Sequence, residues 1–176
     1  MLGRRIITRI KEILTKIKAS EKFASAKKEV KECCEFFKKG NYEKAIEIGE
    51  EIVKKHPDNI LAHLYLTMSY FMVAKFEQSL EHFDVAEKLI SNEIDRVSIL
   101  EVKASLYIHK NDLDKALNLL EEALKLATNA KDRAEIYENM AYIYHLKGDQ
   151  KKENECIREA FKLHLSYEWN KVNCEA

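Results

Sequence analysis

Residues 40–46 read Gly-Asn-Tyr-Glu-Lys-Ala-Ile, and residues 111–117 read Asn-Asp-Leu-Asp-Lys-Ala-Leu. Each string opens on a residue that tolerates a left-handed backbone. A side chain able to cap a helix follows, and an alanine stands five residues on. The same frame fits Ala74 and Gly148, so four equivalent turns are spaced 34, 37 and 37 residues apart. Small residues pair across them at a spacing of twelve: Cys33 with Ala45, Thr67 with Ser79, Ala104 with Ala116. Ala141 faces Glu153, which breaks the column and predicts a looser last hairpin. Aromatics fill another column at Phe36, Tyr70, Tyr107 and Tyr144. Alanines fill a further one at Ala86, Ala123 and Ala160, with bulkier Ile52 in its first place. A period in this range signals stacked helical hairpins.

The small columns have a mechanical reason. Two helices at short interaxial distance need small side chains where their backbones cross and bulky ones where they diverge. Apolar residues recur at three- and four-residue spacing on both sides of each turn, as in Val30, Cys33, Phe36 and Phe37. His56-Pro57-Asp58-Asn59 closes the first unit, because proline stops one helix and Asp or Asn caps its successor. Ala74-Lys75-Phe76 turns without glycine or cap and is the least tightly specified of the four turns.

Bulk composition agrees. Among 176 residues there are one proline and four glycines, little punctuation for anything but a helical chain. The formal charge of zero hides an asymmetry: residues 1–28 carry nine basic and two acidic side chains, +7, leaving −7 on the rest. Cys33, Cys34, Cys156 and Cys174 form neither a CxxC pair nor a disulfide framework. Arg9, Lys11 and Glu12 interrupt any apolar run near the start, and Ile60 to Ala74 is too short to span a bilayer. A reducing cytoplasm is the expected compartment.

The unit resembles the tetratricopeptide repeat, most clearly from Gly40 through Pro57 and from Asn111 through Leu124. Four units fit, at about 26–59, 60–96, 97–133 and 134–165, with residues 1–25 before them and a tail at 166–176. The resemblance implies an all-α, right-handed superhelical solenoid whose first helices line a concave groove, plus an additional N-terminal amphipathic helix. Members of the family hold other proteins together and rarely catalyse.

The groove is the candidate site. By resemblance its wall is Phe37, Leu64, Tyr65, Met68, Phe71, Met72, Ile108 and Tyr142, suited to an apolar or amphipathic segment of another protein. The alternative is that these residues are inter-repeat core. Relatives that grip acidic chaperone termini use Lys and Asn across successive units. Here those places hold Val30, Cys34, Tyr65, Ser98 and Val102, or Leu64, Met68, Val102, Glu135 and Asn139, which lack the needed cations.

Leu2, Ile6, Ile10, Ile13, Leu14 and Ile17 form an apolar stripe among Arg4, Arg5, Arg9, Lys11, Lys16 and Lys18. Three readings stand: a cap on the first unit, a helix lying on an anionic membrane, or a self-ligand folded into the groove. Continuation of this helix into residues 20–39 would prevent the last.

Enzymatic readings find no support. Gly3, Gly40, Gly49 and Gly148 lie too far apart for a phosphate-binding loop, so neither enzyme nor cofactor is expected. His109 with His145 is a weak metal candidate, and no metal site is expected. An acidic body disfavours nucleic acid. Self-association is a further expectation, since little chain, including Tyr167 and Trp169, remains to shield the last unit.

Overall fold

In the computed structural model, which describes residues 2–19, 28, 30–90 and 96–174, the regular elements are α-helices. In order they are α1 Leu2–Ala19, α2 Lys31–Lys38, α3 Tyr42–Lys55, α4 Ile60–Met72 and α5 Phe76–Leu89. Then come α6 Arg96–His109, α7 Leu113–Leu126, α8 Ala130–Lys147 and α9 Gln150–Cys174. The chain divides into two bodies, Gly3–Asp95 with α1 to α5 and Arg96–Ala176 with α6 to α9. Residues 166–174, set apart by sequence as a tail, continue α9. Among the described residues no helix is long and apolar enough to cross a membrane.

All four turn residues are left-handed, with φ of +78° at Gly40, +57° at Ala74, +61° at Asn111 and +72° at Gly148. The residue after each returns its N–H to the carbonyl of the aromatic column: Asn41 to Phe36, Lys75 to Tyr70, Asp112 to Tyr107 and Asp149 to Tyr144, at 2.9–3.0 Å. That is the Schellman closure of a helix C-terminus, made four times. Asn41, Asp112 and Asp149 then cap the next helix, accepting from the N–H groups of Lys44, Lys115 and Lys152. Lys75 gives no side-chain cap.

Ala74 therefore holds a conformation that costs an L-residue about 1–2 kcal/mol. Replacing Ala74 by Gly should stabilise the protein by about 1 kcal/mol, after allowing for the extra freedom of glycine in the unfolded chain. Chemical denaturation checks this; an unchanged or lowered midpoint would mean that Ala74 is not strained.

The crossings are as close as the small columns require. Cys33 Sγ–H donates to the Ala45 carbonyl at 3.3 Å, and Ser79 Oγ–H donates to the Thr67 carbonyl at 2.7 Å. A side chain that short reaches the facing backbone only where the helices nearly touch. Ala104, Ala116, Ala86 and Ala123 are fully buried. Ala104, Ala116 and Ala123 belong to one core of the second body with Leu100, Ile108, Leu120, Ile136 and Ile143. In the last hairpin Glu153 stands at the place of the small residue. Its two carboxylate oxygens lie 3.1 Å from His145 Nδ1 and accept from Gln150 Nε2 at 3.1 Å, so the larger side chain turns aside and is held.

Between α3 and α4 the close approach falls on Gly49, where an added Cβ would stand 2.7 Å from Leu66 Cδ2 and 2.8 Å from its Cγ. Leu66 is fully buried and cannot retreat. Gly49→Ala gains about 1 kcal/mol of helix propensity but overpacks the crossing by about 1–3 kcal/mol. A net loss of about 1 kcal/mol in urea denaturation is expected; a gain would show that Leu66 has room.

A polar chain ties α3, α4 and α5 together. His63 Nε2–H donates to the Pro57 carbonyl at 2.9 Å, and His63 Nδ1 lies 3.1 Å from His82 Nδ1. His82 Nε2 is 2.9 Å from Glu50 Oε1, which also accepts the Tyr70 hydroxyl at 2.9 Å. The Tyr70 ring stacks on His82, with centroids 5.5 Å apart. Burial strips water from a charged His63 ring and holds its pKa below the ordinary value, the Pro57 carbonyl opposing. The unfolded chain therefore takes up a proton at His63 first. Stability from this site is present above the unfolded histidine pKa and is lost as pH falls through it. The unfolding midpoint should drop from pH 7 to pH 5. His63→Gln, which keeps a donor for Pro57 and an acceptor for His82, should flatten that slope; an unchanged slope would assign it elsewhere.

Candidate functional site

The first body carries the candidate site. Its α4 is buried around nearly its whole circumference, from Ile60 through Ser69 without interruption, and packs between α3 and α5. A helix apolar all round needs cover on every side. Part of that cover is α1. Lys18 Nζ donates to the Tyr65 hydroxyl at 2.7 Å and stands 5.1 Å from the centre of the same ring. The Tyr65 O–H passes on to Cys34 Sγ at 2.8 Å, linking α1, α4 and α2 in one chain of bonds. Desolvation and the Cys34 contact both push the Tyr65 phenol above its ordinary pKa, so it stays a neutral donor. The apolar stripe of α1, Ile6, Ile10, Ile13, Leu14 and Ile17, is buried to 4 % exposure or less.

Between α1 and the hairpins lies a recess of about 1120 Å³. Ile7, Leu14 and Lys18 of α1 form one wall, and Phe37, Tyr65, Met68, Phe71 and Met72 belong to the other. Ile7, Thr8, Lys11, Leu14, Thr15 and Lys18, one face of α1 over most of its length, reach this recess beside Cys34, Phe37 and Lys38 of α2, so α1 runs along the hairpins and does not extend α2. The joining residues 20–27 and 29, which include part of the expected 1–25 segment, lie outside the described residues.

Of the eight residues expected on an open groove wall, five therefore line one recess: Phe37, Tyr65, Met68, Phe71 and Met72. They are not open to solvent, with Met68 fully buried and Phe37, Tyr65 and Phe71 below 10 % exposure; Met72 alone, at 42 %, is exposed. Leu64 is fully buried in α4 and takes no part in the recess. Ile108 is a correction of another kind. It follows Leu100 and Ala104 at four-residue steps on the face of α6 that enters the second body's core. Tyr142, on α8 of the second body, is 43 % exposed. Sequence reasoning passed over a stripe on α9, where Ile157, Phe161 and Leu165 are 49 %, 63 % and 56 % exposed. Leu120, one period before Ile157, is fully buried in the second body's core, which includes Ile136 and Ile143 of α8. Among the described residues no three His, Cys, Asp or Glu side chains converge as metal ligands.

The family model described as the tetratricopeptide repeat matches residues 97–129 and 134–164, the two hairpins of the second body. The chain carries the tetratricopeptide-repeat fold. A fragment of MamA from Desulfovibrio magneticus RS-1 superimposes with a TM-score of 0.68 at 15% identity, covering 93% of this chain and 92% of that one. A putative kinesin light chain from Podospora anserina, made of nearly identical repeats of this type, gives 0.69 at 12%, covering 94% and 88%. The C-terminal part of a repeat protein from Cytophaga hutchinsonii gives 0.63 at 16%, covering 81% and 58%. At these identities the likeness concerns the fold alone. No curated protein matches the chain.

Proposed function

We propose that the chain is a protein-interaction module whose first-helix groove takes an apolar or amphipathic helical segment of a partner, with α1 as the occupant in cis. The observation that carries the reading is the seat of α1: a cationic amphipathic helix lies against Tyr65 through Lys18 and shares a recess with Phe37, Met68 and Phe71. This is helix-in-groove recognition within one chain. A cis occupant lowers the apparent affinity for a competitor by the fraction of molecules in which it has left. The work expected is that of an adaptor, assembly factor or chaperone in the cytoplasm, engaged when a partner segment displaces α1.

The same burial weighs against a resting membrane tether. Interfacial helices need their apolar face for lipid, and here Ile6, Ile10, Ile13 and Ile17 are committed to protein. Anionic lipid would reach α1 only after its release.

A peptide of residues 2–19 serves as a surrogate partner. Ile13→Asp with Ile17→Asp in the full chain places two carboxylates where nothing compensates them, and should expel α1. The released protein should bind the labelled wild-type peptide saturably, at least tenfold more tightly than wild type does. Adding Phe71→Glu should abolish that binding with helix content retained. A released chain that ignores the peptide, or helical signal lost with Phe71→Glu, would refute the groove assignment.

A further inference from the structure

We infer that the recess beside α1 is a binding site for a single-chain amphiphilic anion, a long-chain carboxylate, held with α1 still in place. Ligand pockets run from about 300 to about 1,000 Å³ and are mostly apolar, with a few polar groups that orient the guest. This recess, at about 1120 Å³, stands just above that range and shares that character. Leu14, Phe37, Met68 and Phe71 supply apolar wall on opposite sides. Among the described residues the charged side chains lining it are Lys11, Lys18 and Lys38, with no carboxylate.

Lys18 is the pivotal group. Its ammonium has three N–H donors, and Tyr65 accepts one at 2.7 Å. The Tyr65 proton is already given to Cys34, so this partner is neutral, and among the described residues the charge of Lys18 meets that hydroxyl and ring but no carboxylate. A part-buried cation with donors to spare, beside an oily slot, calls for an anionic head on an apolar tail. The length fits as well: residues 7 to 18 of α1 extend about 17 Å along the slot. With α1 left in place its Ile10, Ile13 and Ile17 stay buried, so a single-chain guest costs none of that burial, and this site goes beyond the groove reading.

Titration of the full-length protein with cis-parinarate, a fluorescent long-chain carboxylate, tests this. Saturable binding at one site per chain, displaced by palmitate, is expected. The matching long-chain alcohol should compete at least tenfold less well. Lys18→Gln should weaken the carboxylate about tenfold and leave the alcohol unchanged. Lys11→Gln, Lys18→Gln and Lys38→Gln together should erase the preference for the acid. Absence of saturable binding, equal competition by acid and alcohol in the wild type, or a triple variant with wild-type preference would each overturn the inference. The acid-against-alcohol comparison on the wild type decides the matter even if a variant misfolds. The 2–19 peptide assay is independent of it, so either reading can fail alone.

Discussion

The constraint on which the rest depends is the near-contact of two helix backbones within each hairpin. At Cys33 with Ala45 and at Ser79 with Thr67 a one-atom side-chain branch reaches the opposing carbonyl directly. Bulkier residues at those crossings would drive the helices apart. Close crossing needs a tight return, and the return needs a left-handed residue. The carbonyl four residues before that residue, on the aromatic column, closes the turn by accepting an N–H. Turn and aromatic column are thus one device repeated at four places.

What the device builds is an apolar first-helix face, and in the first body that face is already in use. α4 is mostly apolar and buried around nearly its whole circumference, so it could not stand against water without a cover. α1 contributes to that cover through Leu14 and Lys18, yet it seats loosely enough to leave a recess. One bonded relay runs from it into the hairpins: Lys18 to Tyr65, then Tyr65 to Cys34.

The hairpins were legible in the sequence because their determinants are local and periodic. All four turn positions proved left-handed, including Ala74, whose side chain gives no hint of it. The frame of the repeat, not the residue, revealed that turn. Gly49 was missed, since a helical glycine marks a close approach only once its neighbour Leu66 is placed. The bonds joining His63, His82, Glu50 and Tyr70 were missed for the same reason: three helices supply them at separations that follow no period. The seat of α1 was one of three readings that its stripe allowed. Amphipathicity is the same whether the apolar face meets lipid, an end cap or a groove, and only contacts such as Lys18 to Tyr65 distinguish them. Expectations for the wall failed where the family pattern could not say which face of α6 turns inward, as at Ile108.

The most direct test of the seat of α1 is nuclear Overhauser spectroscopy on the full chain with Lys18 and Tyr65 selectively labelled. The account predicts strong cross-peaks between the Lys18 side-chain methylenes and the Tyr65 ring, since the ammonium lies 5.1 Å from the ring centre. Absence of those cross-peaks, with random-coil shifts for residues 2–19, would contradict it.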